Sequence, residues 1–252
     1  MGEFRDRLRT AGVSVPTTRK ILSTLHGVLE YAIWEDWIAT NAARGVKVTG
    51  TRGEGSKKIV PPPKDAMRAL ISAADEALRL KLIFAASTGA RAGEQWAARW
   101  GDVDFEKGEL SIRRRVDAYG EEGAPKSDAG VRTVPLSDQL IAALREWKLR
   151  SPWSKPSDLI FPNRCGRRTG HDNLVKREFL PLFGVAGVRR FNWHGLRHFA
   201  ISTWIEARLA PKTVQTFAGH ASLQITMDRY GHLFPSDSHK QAMDAIAKGL
   251  FD

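Results

Sequence analysis

The spacing of apolar residues divides this 252-residue chain into helical stretches, interrupted once by short β-type segments. Over residues 17–35, Ile21, Leu25, Val28 and Ala32 form one stripe, which Leu22, Leu29 and Ile33 widen. Thr17 or Thr18 is available there as a cap. "WEDWIATNAARGV" closes that unit. The following "KVTGTRGEGSKKIVPPP" (47–63) is rich in Gly, Lys and Pro and has no helical period, which is the composition of a linker. Beyond the prolines, residues 64–74 and 76–87 read as helices, and a third helix starts near Arg91. "GELSIRRR" and "VRTVPLS" are β-type segments separated by the polar "DAYGEEGAPKSDAG", a pattern that predicts a hairpin with a long connection. "SDQLIAALREWKLR" returns to helical period, with Leu140, Leu144 and Trp147 on one face and Ser137 or Asp138 as cap. Further helices are expected at 171–182, 194–208, 211–217, 222–229 and 237–249. The expected fold class is mainly α with a small antiparallel β-sheet (α+β). It is organised as a short helical piece (1–48), a linker (49–63) and a large domain (64–252).

Composition narrows the function. A hydrophobic content of 42% can supply a real core and excludes a disordered chain. Lys and Arg number 39 against 28 Asp and Glu, a formal net charge of +11. A globular chain this basic most often meets a polyanion, and nucleic acid is the usual one. Cys165 is the only cysteine, so no internal disulfide and no cysteine-based zinc site is expected. The sequence has neither an 18-residue apolar run nor a signal-peptide pattern, so a soluble, cytoplasmic protein is expected.

Four stretches hold candidate chemistry. "STGARAGEQWAARWGDVDF" delivers Arg91 into the first turn of a helix, with Glu94 three residues later. "APKSDAGVRTVPL" places Lys126 at the hairpin tip, where a lone lysine is usually only solvated. "WHGLRHFAISTWI" sets His194 and Arg197 three apart on one helix face, offering an imidazole and a guanidinium fork to the same anion. His194 and His198 are also spaced i, i+4, as zinc ligands can be, but no glutamate follows the first histidine and no third ligand has recognisable spacing. The fourth stretch, "GHASLQITMDRYGH", puts Tyr230 ten residues after His220, with a short helix predicted between them. Tyr230 is one of only three tyrosines, the others being Tyr31 and Tyr119. Taken singly, each stretch also has an ordinary structural reading.

Together they resemble the tyrosine recombinase (phage integrase) family. Arg91, Lys126, His194-X-X-Arg197, His220 and Tyr230 stand in that family's order and approximate spacing. The contexts "TGARAGE", "PKSDAGVRTVPL", "HGLRH", "AGH" and "YGHL" fit as well, and the likeness covers about residues 60–235. The resemblance implies a catalytic core of the DNA breaking-rejoining type at 64–252, preceded at 1–48 by a partial helical core-binding (SAM-like) domain. Members usually have more helices before the linker, so the N-terminal region is expected to be shortened or truncated. By resemblance, Tyr230 is the nucleophile that forms a 3′-phosphotyrosyl link, and Arg91 and Arg197 clamp the scissile phosphate. Lys126 protonates the leaving oxygen, His194 assists proton transfer at the tyrosine, and His220 hydrogen-bonds a phosphate oxygen. Glu94 positions neighbouring structure, and His232 gains no role. The covalent link conserves the phosphodiester's energy, so neither ATP, metal nor another cofactor is expected. The implied partner is double-stranded DNA, bound by a chain that is monomeric in isolation and tetrameric on paired sites. Competing readings are a type IB-like topoisomerase, a catalytically silent DNA-binding relative and, more remotely, an enzyme of small phosphoesters.

Overall fold

The structure is a computed structural model in which residues 1–50, 58–125, 127–235, 243–244 and 246–248 are described. It divides into two compact units, Met1–Lys58 and Ile59–Asp252. In the first, α1 (Gly2–Thr10) packs on α2 (Val15–Trp34). Ser14 caps α2 by accepting from the Thr17 amide, and Pro16 fits the first turn because it has no amide hydrogen to lose. The cap is thus neither Thr17 nor Thr18. Thr18 is instead fully buried and donates its hydroxyl to Ser14 O at 3.0 Å. Of the expected α2 stripe, Leu22 enters the small core with Val15 and Val48, whereas Val28 is 59% exposed. Helix α1 escapes the apolar reading because "GEFRDRLRT" is mostly charged.

The second unit begins with α3 (Lys64–Ala73) and α4 (Glu76–Thr88). Asp75 caps α4 by accepting from the Leu78 amide at 2.8 Å, and Gly89 ends it in the left-handed conformation at φ 60°. Arg91 is the N-cap of α5 (Ala92–Ala97). A three-stranded antiparallel sheet follows, ordered β1 (Val103–Asp104), β2 (Glu109–Ile112) and β5 (Arg132–Pro135), with Ile112 opposite Arg132. The predicted hairpin is therefore present, but its connection folds into a second ribbon, β3 (Arg115–Val116) paired with β4 (Glu122–Gly123).

After α6 (Asp138–Arg150), capped by Ser137, the expected 171–182 helix comes as three joined pieces. These are α7 (His171–Leu174), a π-helical turn over Val175–Phe179, and α8 (Leu180–Ala186). Pro181 has no amide hydrogen to give the carbonyl of Arg177, four residues back, so regular α bonding fails at this point. The run continues past 182 because Phe183 is buried, and Gly187 at φ 66° stops it. Helices α9 (His194–Glu206), α10 (Pro211–Ala218) and α11 (Leu223–Tyr230) complete the unit. Most of the helix expected over 237–249 lies outside the described residues.

The main core joins Phe84, Trp100, Leu110, Phe161, Phe179 and Leu196, with α4 against α9 and α3 against α8. A smaller cluster of Ile201, Ile205, Val214, Ala218 and Tyr230 lies where α9, α10 and α11 meet. Among the described residues no helix is long and apolar enough to cross a membrane.

Candidate active site

Three arginines converge on one helix end. Helix α10 terminates at Gly219 in the left-handed conformation, leaving its last carbonyls without intrahelical partners. The Arg132 Nε donates to Phe217 O at 2.7 Å, an Arg197 Nη donates to Ala218 O, and the Arg91 Nη2 donates to Gly219 O at 2.9 Å. Consecutive carbonyls at the negative end of the helix dipole thus hold side chains from β5, α9 and the start of α5. Arg197 also donates to Gly89 O at 2.7 Å, at the C-cap of α4.

Glu94 sits beneath this cluster with a 2% exposed side chain. It accepts two bonds from Arg132, at 2.8 and 3.2 Å, and one from Arg91 Nη1 at 2.7 Å. Its other contact is the Arg91 amide at 2.9 Å, a bond from its own N-cap residue. Burial acts to raise its pKa, but Arg132 and Arg91 outweigh it and hold the carboxyl at about 2. Glu94 is therefore ionised and fixes both arginines. The sequence reading gave Glu94 a positioning role but missed Arg132, the partner that carries most of it. Its signal was an arginine at an inward position of a strand, followed by exposed Thr133 and buried Val134.

Arg197 is 3% exposed, and desolvation followed by repulsion from Arg91 and Arg132 lowers its pKa. A guanidinium nevertheless keeps its proton at neutral pH. Arg91 has a 41% exposed side chain, so its fork reaches solvent while one edge stays tied to Glu94.

The segment after Gly219 presents the remaining groups. The His220 amide donates to Gln215 O at 3.1 Å, the Gln215 side chain donates to His220 O at 3.0 Å, and the His220 Nδ1 pairs with the Thr226 hydroxyl at 2.9 Å. Ser222 caps α11, whose last residue is Tyr230. The Tyr230 ring lies nearly parallel to His220, with centroids 6.2 Å apart and planes 18° apart. Its hydroxyl meets the His198 Nδ1 at 2.6 Å. His194 packs edge-on against His198, with ring centroids 4.6 Å apart. Among the described residues the imidazole paired with the tyrosine hydroxyl is that of His198, not that of His194. The helical spacing that suggested a zinc pair also signalled His198, because i and i+4 positions share a helix face. No group of three or more metal-ligating side chains occurs among the described residues. Lys126 lies outside them. Of the six predicted site residues, Arg91, His194, Arg197, His220 and Tyr230 gather around the α10–α11 turn. His232 bonds Ile59 O at 3.0 Å, a link within the same unit.

The electrostatics keep the cluster protonated at the phenol and neutral at the imidazoles. Tyr230 is 1% exposed, and burial pushes its pKa up to about 12 despite the opposing pull of Arg197, Arg229 and Arg91. Desolvation and then the surrounding cations bring His220 down to about 3 and His198 to about 4. His194 falls to about 4 for the same leading reason, with His198 next.

A stability prediction follows with a definite sign. An unfolded histidine, at its ordinary 6.5, binds a proton before these folded ones do. Stability is complete above about pH 6.5 and is lost as the pH falls toward 4, at up to ~1.4 kcal/mol per pH unit for each proton. His194 keeps part of its ring in solvent, so its share is the smallest. The melting temperature should fall steadily from pH 7 to pH 4, and a flat profile would contradict the burial of neutral His220 and His198.

Gly219 tests the geometry of the turn. At φ 61°, an added Cβ would stand 2.8 Å from Arg132 Nη1 and 3.0 Å from Ala129 O. Gly219→Ala should lower stability by about 1–3 kcal/mol in a urea melt.

Comparison with known proteins places this arrangement. The sequence pattern of the phage integrase family matches residues 63–237. The chain is 28% identical to a XerC-like tyrosine recombinase of Caldanaerobacter subterraneus subsp. tengcongensis, over 96% of this chain and 68% of that protein. It is 27% identical to the prophage integrase IntR of Escherichia coli, over 89% of this chain and 59% of that protein. The chain therefore spans about three fifths to two thirds of the length of these relatives. In fold it is similar to the Tn1549 transposon integrase solved with circular intermediate DNA, at TM-score 0.74, 17% identity and coverage of 98% and 83%. It is also similar to the site-specific recombinase XerH bound to its palindromic difH substrate, at TM-score 0.66, 20% identity and coverage of 100% and 71%. With the family pattern covering most of the chain, and Arg91, His194, Arg197, His220 and Tyr230 gathered inside it, the chain belongs to the phage integrase family of tyrosine recombinases.

Proposed function

We propose that this chain is a site-specific DNA recombinase in which Tyr230 attacks a phosphodiester and becomes joined to the 3′ end of the cut strand. The observation that supports it best is the convergence of Arg91, Arg197 and His220 with Tyr230 at the α10–α11 turn. Attack places extra negative charge on the phosphoryl oxygens. Two fixed guanidiniums answer it, and removing one such donor typically costs about 10²–10³ in rate. Glu94 and the α10 carbonyls hold these forks in place before DNA arrives, so no reorganisation is needed at the moment of reaction. His220, neutral and tied to Thr226 through Nδ1, has its Nε2 left to donate to a phosphate oxygen. Lys126, following the family resemblance, protonates the departing 5′ oxygen. Rejoining reverses these steps, with a 5′ hydroxyl of the partner strand attacking the phosphotyrosine. The bond energy is kept throughout, so neither ATP nor metal takes part.

The partner is double-stranded DNA in the bacterial cytoplasm, and strand exchange engages four protomers on paired sites. The net charge of +11 suits a duplex, and affinity should fall steeply with salt. The test uses a pool of nicked duplexes with randomised core sequence, incubated with the chain in EDTA without ATP. A denaturing gel should show a slow covalent protein–DNA species that protease removes. Its absence across the pool overturns the reading.

A further inference from the structure

The proton on the Tyr230 hydroxyl needs an acceptor, and the family resemblance had given that task to His194. The geometry points elsewhere. His198 Nδ1 lies 2.6 Å from the phenolic oxygen, within the range of a strong O–H···N bond. Resting on the strand-cleavage reading above, we propose that His198 is a further catalytic residue, the base that takes the Tyr230 proton during attack.

Three features carry it. His198 is half-buried on α9, one residue after Arg197, so the helix that fixes the phosphate clamp also fixes the base. Its ring is wedged between Tyr230, with centroids 5.8 Å apart, and His194 at 4.6 Å, which restricts its rotation. His220, the other imidazole beside the tyrosine, has its Nδ1 engaged by Thr226 and stacks on the ring rather than meeting the hydroxyl.

The step balances. As the Tyr230 oxygen forms its bond to phosphorus, its proton passes to neutral His198 Nδ1 and the bond from phosphorus to the 5′ oxygen breaks. The leaving oxygen takes a proton from the general acid at Lys126. On rejoining, His198 returns its proton to the phenolate. Without DNA the transfer is unfavourable, because burial favours phenol and neutral imidazole alike, and the arginines, although they pull toward phenolate, also oppose a charge on the imidazole. A phosphate among those arginines offsets the charge that holds the imidazole neutral, and bond formation makes the phenolic proton acidic. His194 is then left facing the phosphate alongside Arg197, the role its spacing suggests.

The experiment times covalent capture of the nicked duplex pool by the chain, His198→Ala and His198→Asn. It is run with ordinary DNA and with DNA whose scissile 5′ oxygen is replaced by sulfur. Sulfur leaves without a proton, so it rescues a missing acid but not a missing base. His198→Ala should be slowed about a hundredfold on both substrates, and added imidazole should restore at least part of the rate. His198→Asn reaches the same position and can hold the hydroxyl but cannot take its proton. It should be equally slow, and it carries the test if His198→Ala does not fold. A rate within threefold of the unmodified chain in either variant overturns the proposal, as does full rescue by sulfur. If the unmodified chain itself forms no adduct, the strand-cleavage reading fails first and takes this one with it.

Discussion

Replacing Tyr230 with phenylalanine should eliminate covalent DNA capture while moving the melting temperature by only a few degrees. The two effects separate because the ring and the hydroxyl do different work. The ring is part of the small core with Ile201, Ile205, Val214 and Ala218, and phenylalanine fills the same space. Among the described residues the hydroxyl bonds His198, a contact worth about 1 kcal/mol net, or roughly 2–4 °C for a chain of this size. Among the described residues no second tyrosine belongs to this cluster. Tyr119 is 92% exposed in the turn between β3 and β4, and Tyr31 belongs to the other compact unit. A gel shift at low salt should show that Tyr230→Phe still binds the duplex it can no longer hold covalently. Residual adduct at even a few per cent of the normal yield would mean that another residue can attack.

The largest stability effect is expected at Arg132. Its side chain is 1% exposed and forms the only two-pronged contact to Glu94 among the described ion pairs at this site. Arg132→Leu leaves a carboxylate in a nearly dry position with Arg91 as its remaining cation, and breaking a buried pair from one side costs about 3–5 kcal/mol. It also frees Phe217 O and Gly130 O, so the turn before His220 and the loop before β5 loosen together. Urea melts should therefore show a large drop, and capture of DNA should slow beyond what the folded fraction explains. The double variant Arg132→Leu, Glu94→Leu should recover part of the stability, because it removes the stranded charge, but none of the rate. Equal stability in Arg132→Leu and the unmodified chain would show that Glu94 is neutral or solvated, contrary to its position.

How much of this was legible in the sequence depends on range. Residues whose role lies in their own local motif could be read directly. Ser137, one of two candidate caps of α6, is the one used, and Gly219 breaks a helix just before a histidine, whereas the α2 cap lies at Ser14, outside the two threonines expected. The apolar period of α4, α6 and α9 gave those helices to within two residues, because each buries a broad face. Charged α1 has little such face, and Pro181 perturbs backbone bonding without altering the apolar count, so neither feature could be read from periodicity.

At the site, the six family positions carry their own spacing, but the links between them are long-range. Arg132 is 38 residues from Glu94 and 85 from Phe217, and no window along the chain brings those together. His198 is visible in the sequence as a neighbour of His194 at a spacing that metal ligands share. Only the packing of α11 against α9 and α10 sets its Nδ1 on the tyrosine. The stripe predicted on α2 marks the opposite case, since Val28 is apolar and correctly spaced yet stands largely in solvent within its own unit.

The central claim is that Tyr230 is the atom donor in strand cleavage, and its most direct test is to locate the DNA on the protein. The covalent species is isolated from the nicked duplex pool and digested with nuclease and trypsin, and its peptides are sequenced by mass spectrometry. The account predicts a 3′-phosphonucleotide on the phenolic oxygen of Tyr230, and on no other residue. A nucleotide attached to Tyr31, Tyr119, a serine or a histidine would contradict it.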